Sequence, residues 1–161
     1  MADIKQATYE SIMSGLKNRQ FAPVYYLMGD ESYYIDKITD YVAENVLTPE
    51  ERDFNQTILF GSDVTAAQVA DAASRYPMMA DYQVVIVKEA QNLKSTEPLE
   101  LYLKHPQKQT ILVMCHKNGT LDRRKSLAKA VAAAGILFES KRMRDRELPG
   151  FITQYLKNKK A

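Results

Sequence analysis

The chain has 161 residues, 45% of them hydrophobic and 26% charged, with a formal net charge of +2, a balance that gives one globular domain with a core plus a fragment of a second and excludes a general electrostatic drive towards nucleic acid or membrane. The single cysteine, Cys115, excludes an internal disulfide, and its apolar setting, Leu112-Val113-Met114-Cys115-His116, reads as buried in a reduced, cytoplasmic protein. No apolar stretch approaches the length of a membrane span, and the opening MADIKQATYE carries no apolar run of the kind a signal peptide needs.

Tyr9, Ile12, Met13 and Leu16 recur at helical spacing, which predicts an amphipathic helix over Thr8 to Asn18. Pro23 to Met28 is a short apolar run that stops at Gly29 and reads as a strand ending in a turn. Asp30 and Ser32 offer N-caps for a second helix, whose apolar stripe is Tyr34, Ile35, Ile38, Tyr41, Val42 and Val46. Thr48-Pro49-Glu50-Glu51 reads as a loop making at most one helical turn. Phe54 to Phe60 is a partly alternating strand, placed towards a sheet edge, and Gly61-Ser62-Asp63 turns the chain.

Thr65 and Gln68 have capping-box spacing, and Ala66, Val69, Ala70 and Ala73 line one face of the helix that follows. That helix stops at Tyr76-Pro77-Met78-Met79, because proline cannot continue it and biases the residue before it to extended angles. Connections are normally polar and superficial. Two methionines in one either tuck under the fold or are shown to a partner. Gln83 to Val87 is the clearest strand, a β-branched run without a charge until Lys88.

Lys88 to Leu93 is a polar loop, Glu97 to Leu103 a short helix stopped by Pro106, and Thr110 to Met114 another continuous apolar strand. His116 to Thr120 reads as a polar loop, and Asp122 as the cap of a helix through Leu127, Val131 and Ala134 that ends at Gly135. Ile136-Leu137-Phe138 is a last short strand. Strands alternating with helices at this rhythm predict a mostly parallel sheet with helices on both faces. From Glu139 to Arg146 the chain turns highly charged, with no expected place in the sheet. Leu148, Phe151, Ile152, Tyr155 and Leu156 then return to helical spacing. Such a helix either folds back on the domain or opens a second one, and the second is favoured. The expected division is 1–140 and 141–161.

A parallel sheet with a turn after its first strand invites a nucleotide site. A phosphate-binding loop needs a second glycine, a lysine and a hydroxyl residue; in Gly29-Asp30-Glu31-Ser32-Tyr33-Tyr34 the second glycine and the lysine are missing, tyrosines occupy the region, and the two acids repel phosphate. The dinucleotide fingerprint fails for the same lack of glycines. Asp30, Glu31 and Glu89 could instead form an acid set for magnesium in a nucleotide- or metal-dependent enzyme, although capping acids explain the first two. His105 and His116 are not joined at ligand spacing and read as surface or strand-end residues, so no zinc or nucleophilic site emerges. Arg123-Arg124-Lys125 and Lys157, Lys159 and Lys160 are short basic runs without interleaved aromatics. They read as solvated faces, with weak DNA contact through Arg123, Arg124 and Lys125 as the sharper alternative.

PVYYLMGDESYYIDK, SRYPMMADYQVVIVKEAQNL, TILVMCHK, LDRRKSLAKAV and FESKRMRDRELPGFITQYL, in that order, resemble the delta subunit of the bacterial DNA polymerase III clamp loader. The resemblance implies an α/β, three-layer AAA+-like domain without a phosphate-binding loop, followed by the first helix of a helical lid domain. It implies no cofactor or metal and no ATP hydrolysis by this domain, within an assembly that is a DNA-directed DNA polymerase acting in DNA replication. The implied partners are the ring-shaped sliding clamp (the beta subunit), other clamp-loader subunits and, indirectly, DNA. The implied clamp contact is an apolar pair at the tip of the helix before the third strand, which falls on Met78 and Met79 with Tyr76 and Pro77 beside them. Leucine and phenylalanine are common at that pair in the family. Two methionines are softer and less pre-shaped.

Overall fold

The computed structural model describes residues 7–142. The helix expected from Leu148 to Leu156, and with it the second domain, lies outside them, as does the basic run at Lys157, Lys159 and Lys160. Five parallel strands form one sheet in the order β2-β3-β4-β1-β5. They are β1 (Val24–Gly29), β2 (Gln56–Phe60), β3 (Gln83–Lys88), β4 (Thr110–Lys117) and β5 (Ile136–Ser140). The helices are α1 (Tyr9–Lys17), α2 (Ser32–Asn45), α3 (Pro49–Asn55), α4 (Ala66–Ser74), α5 (Glu97–Lys104) and α6 (Ser126–Ala134). A single 3-10 turn, Ala90–Asn92, interrupts the loop after β3.

The uninterrupted apolar runs of β1, β3 and β4 follow from their central places, since a strand covered on both faces has no polar side to show. Successive residues then serve opposite cores. Val24, Tyr26 and Met28 of β1 pack with Leu112 and Met114 of β4 against α4, α5 and α6. Tyr25 and Leu27 pack with Ile111, Val113 and Cys115 against Ile12 and Leu16 of α1 and Ile35, Ile38 and Val42 of α2. Full burial of each such aliphatic side chain is worth about 1.5–3 kcal/mol gross. β2 is an edge strand, as its weaker alternation predicted, with Ile58 and Phe60 exposed.

Several boundaries differ from the sequence expectation. Thr48 to Glu51 does not stay a loop: a capping box joins Thr48 and Glu51, Pro49 opens the helix, and α3 runs to Asn55, removing Phe54 and Asn55 from the strand. The cap of α2 is Glu31, which accepts from the Tyr33 amide, rather than Asp30 or Ser32. Asp122 does not cap α6. It closes a turn on the Arg124 amide, and the helix starts four residues later with Lys125 in the cap position. β4 continues through His116 and Lys117, because β1 pairs beside it as far as Gly29. β5 likewise takes in Glu139 and Ser140, paired with Met28 and Gly29.

Candidate functional site: the tip between α4 and β3

α4 ends at Ser74, and Arg75 turns to an extended conformation ahead of Tyr76 and Pro77. The carbonyls left open at this helix end are met by side chains from three other elements. The Gln83 carboxamide donates to Ala72 (3.2 Å), Ala73 (3.3 Å) and Arg75 (2.6 Å) and also meets the Thr110 hydroxyl (2.7 Å). The Thr110 and Tyr102 hydroxyls donate to Ala73 O at 2.7 and 3.3 Å, and Gln107 donates to Arg75 O at 3.2 Å. The base of the break is therefore fastened to the starts of β3 and β4, which lie in register at Gln83 and Thr110. Burial raises the Tyr102 phenol above its ordinary pKa, which keeps it a donor.

Beyond that base the chain leaves the core. Tyr76 is 74% exposed, Met78 61% and Met79 101%, with Pro77 half-buried. Neither methionine tucks under the fold. The Asn55 side chain bonds both backbone groups of Met78, and Met79 takes a positive φ of 57°. Phe54, just before Asn55 on α3, is 73% exposed. The segment thus presents large apolar side chains on a backbone anchored at two places. Met78 and Met79 offer contact area and no acid, base or nucleophile.

The turn after β1 is built for a different purpose from phosphate binding. Gly29 has φ 125°, and a Cβ there would overlap the carbonyl of Ser140. The Glu31 amide donates to that same carbonyl at 3.2 Å. The Asp30 carboxylate accepts from the Arg142 amide at 2.9 Å, and the Arg142 Nε donates to Asp30 O at 3.3 Å. Residues 140–142 of the chain's own crossing from β5 therefore bond Asp30 and Glu31, while Asn118 and Gly119 after β4 take the carbonyl and amide of Gly29. Glu31 caps α2, and Glu89, at φ 56°, accepts from the Ser62 hydroxyl at 3.2 Å. The three acids are occupied separately, and among the described residues no three His, Cys, Asp or Glu side chains converge on a metal position.

A cleft of about 220 Å³ opens between α2 and the ends of β3 and β4, lined by Asp36, Asp40, Lys88, Glu89, Cys115 and Lys117 among others. Its charges are mixed, and Lys117 pairs with Asp36 at 2.6 Å. Cys115 is buried beside Thr39 (3.2 Å), and burial pushes its thiol above the ordinary value, which disfavours the thiolate. Of the two readings of His116, surface or strand-end, the second holds: it stands near the end of β4, which runs on to Lys117 where a loop was expected. It is 9% exposed and shares a hydrogen bond with the Tyr26 hydroxyl through Nδ1 at 2.9 Å, and burial lowers its pKa.

Arg123, Arg124 and Lys125 lie in the turn before α6. Arg123 pairs with Glu139 at 3.3 Å and Arg124 with Asp122 at 3.1 Å, so two of the three cations are partly neutralised within the fold. Arg124 holds the Asp122 carboxyl below its ordinary range. Sequence reasoning missed Asn55, Gln83, Thr110 and Gln107 as the residues that shape the tip. A signal was present for two of them: Gln83 and Thr110 are polar residues opening otherwise apolar buried strands.

The chain is similar to known proteins along nearly its whole length. It is 26% identical to the DNA polymerase III subunit delta of Bacillus subtilis over 156 residues, covering 91% of this chain and 45% of that one. The solved structure of the Bacillus subtilis DNA clamp loader delta protein superposes with a TM-score of 0.79 at 26% identity, over 94% of this chain and 48% of that one. The chain thus spans about half the length of these relatives. A DNA polymerase III gamma subunit-related protein of Thermotoga maritima (TM-score 0.53, 14% identity, 89% of this chain and 49% of that one) shares the fold. The three-layer sheet is accordingly AAA+-like. The model of the family described as DNA polymerase III, delta subunit matches residues 25–141, from the first strand past the last, and with that span covered the chain belongs to the DNA polymerase III delta subunit family.

Proposed function

We propose that this domain is a binding module that docks on the sliding clamp through Tyr76, Pro77, Met78 and Met79 and helps to open one interface of the ring. The observation that carries the reading is the exposure of Met78 and Met79 at a break whose base is fastened to the core. Contiguous apolar groups in water mark contact sites. Polarizable, unbranched methionines adapt to the shape of an apolar pocket. Burying each one fully is worth about 1.5–3 kcal/mol gross. Association itself costs about 4–15 kcal/mol, so Tyr76 and the surroundings of the tip must add to the contact.

Opening a ring requires a domain that prefers the opened form, since equal affinity for both forms shifts nothing. A rigid tip suits this role: it holds its pocket at a fixed angle to the sheet, and the preference is set by where the rest of the domain then touches. Other clamp-loader subunits would supply the ATP chemistry. The test is a titration of the cognate clamp with the full-length protein and with Met78→Ser/Met79→Ser. Loss of binding with an unchanged melting temperature is expected. Unchanged affinity with an intact fold removes the tip from the interface.

A further inference from the structure

Asn55 is the last residue of α3 and is 4% exposed, although it lies between the exposed Phe54 and the exposed tip. Its Oδ1 accepts from the Met78 amide at 2.6 Å, and its Nδ2 donates to the carbonyls of Met78 (2.9 Å) and Glu51 (3.0 Å). One orientation of the carboxamide satisfies all three groups. The flipped orientation sets its oxygen against two carbonyls and its NH2 against an N–H. A single side chain thus imitates a strand partner for one residue, 23 positions away in the sequence. Among the described residues these are the hydrogen bonds that the backbone of residues 76–80 makes.

We infer that Asn55 is the positioning residue of the tip, holding Met78 so that Met78 and Met79 stand out in one arrangement before a partner arrives. This rests on reading the methionines as the partner contact. The backbone needs such a hold. Met79 has φ 57°, a conformation that L residues with a Cβ adopt reluctantly, and such conformations persist where the surroundings over-determine them. Met79 is fully exposed, so its own side chain has no packing with which to supply that constraint. The constraint comes instead from the residue before it, through Asn55. Methionine side chains keep their rotamer freedom in solvent, whereas the backbone beneath them does not, and fixing it in advance lowers the ordering cost of association.

The experiment pairs clamp titration with amide hydrogen exchange, using the full-length protein and Asn55→Ala. Expected are an affinity about tenfold weaker, faster exchange at the Met78 amide, the one that Asn55 holds, and unchanged exchange in β3 and β4. Wild-type affinity in a folded Asn55→Ala protein overturns the inference, and so does an equal acceleration of exchange throughout the sheet, which marks a general structural role. Met78→Ser/Met79→Ser separates the two readings. If that variant binds normally, the tip is not the contact. If it fails to bind while Asn55→Ala binds normally, the positioning role alone is wrong. Should Asn55→Ala not fold, the unsubstituted protein decides: a protected Met78 amide is expected, and exchange at the open-chain rate overturns the clasp.

Discussion

The carboxamide of Gln83 donates to the carbonyl of Arg75 at 2.6 Å, so the first residue of β3 holds the end of the helix that β3 follows in sequence. The two stand eight positions apart, and the excursion between them carries Tyr76, Pro77, Met78 and Met79. The excursion is thereby closed at its root, and the exposed methionines project from a fastened base.

Gln83→Leu is expected to destabilise the domain by about 0.5–1.5 kcal/mol, because it removes the donor that meets Ala72, Ala73 and Arg75, whose carbonyls keep only their bonds from the Arg75 amide, from Thr110 and Tyr102, and from Gln107. The urea midpoint should fall with an unchanged slope. A midpoint equal to that of the unsubstituted protein would show that water or Thr110 replaces the donor without loss.

Met79→Gly should move stability and binding in opposite directions. Glycine reaches φ 57° without the Cβ penalty, worth about 1–2 kcal/mol for an L residue. Its larger unfolded-state entropy takes back about 0.5–1 kcal/mol. A thermal melt equal to or slightly above that of the unsubstituted protein is expected, together with weaker clamp binding.

Gly29→Ala is expected to be severe, since the added Cβ meets the Ser140 carbonyl and φ is 125°. Strained backbone of this kind costs about 1–3 kcal/mol before any overlap is relieved. The loss should appear in a denaturant titration whether or not nucleotide is present, which separates a packing role for Gly29 from a phosphate-binding one. Stabilisation of the unsubstituted protein by ATP and magnesium would contradict that assignment.

The buried pair of Tyr26 and His116 makes stability depend on pH. Burial lowers the folded His116 pKa below 6.5, so on acidification the unfolded chain takes up its proton first. The contribution of neutral His116 is complete above the unfolded value and is lost as pH falls from there through the folded value. Denaturant midpoints at pH 7.5 and 5.5 should therefore differ more for the unsubstituted protein than for His116→Gln. Equal differences would mean that His116 is not the titrating group.

The sheet was legible in the sequence because central parallel strands carry a local signature: Val24 to Met28, Val84 to Val87 and Ile111 to Met114 are apolar on both faces and are bounded by turn residues. Edge character in β2 was legible for the same reason, since one uncovered face leaves a mixed pattern. Strand ends were less so. His116, Glu139 and Ser140 are polar, and their pairing is decided by the length of β1 beside them. α3 was underestimated because its stability comes from a reciprocal cap and an acidic first turn more than from an apolar stripe.

For the tip, the sequence by itself determined where the helix must stop, because Pro77 lacks an amide and restricts Tyr76. It also determined that two methionines stand at that stop. Whether they faced the core or water was beyond it, since both outcomes are compatible with the same local spacing. The tertiary structure decided this through bonds between residues distant in sequence: Gln83 and Thr110 fasten the helix end, and Asn55 takes both polar groups of Met78. A backbone whose hydrogen bonds are satisfied by side chains from behind can hold its own side chains in water.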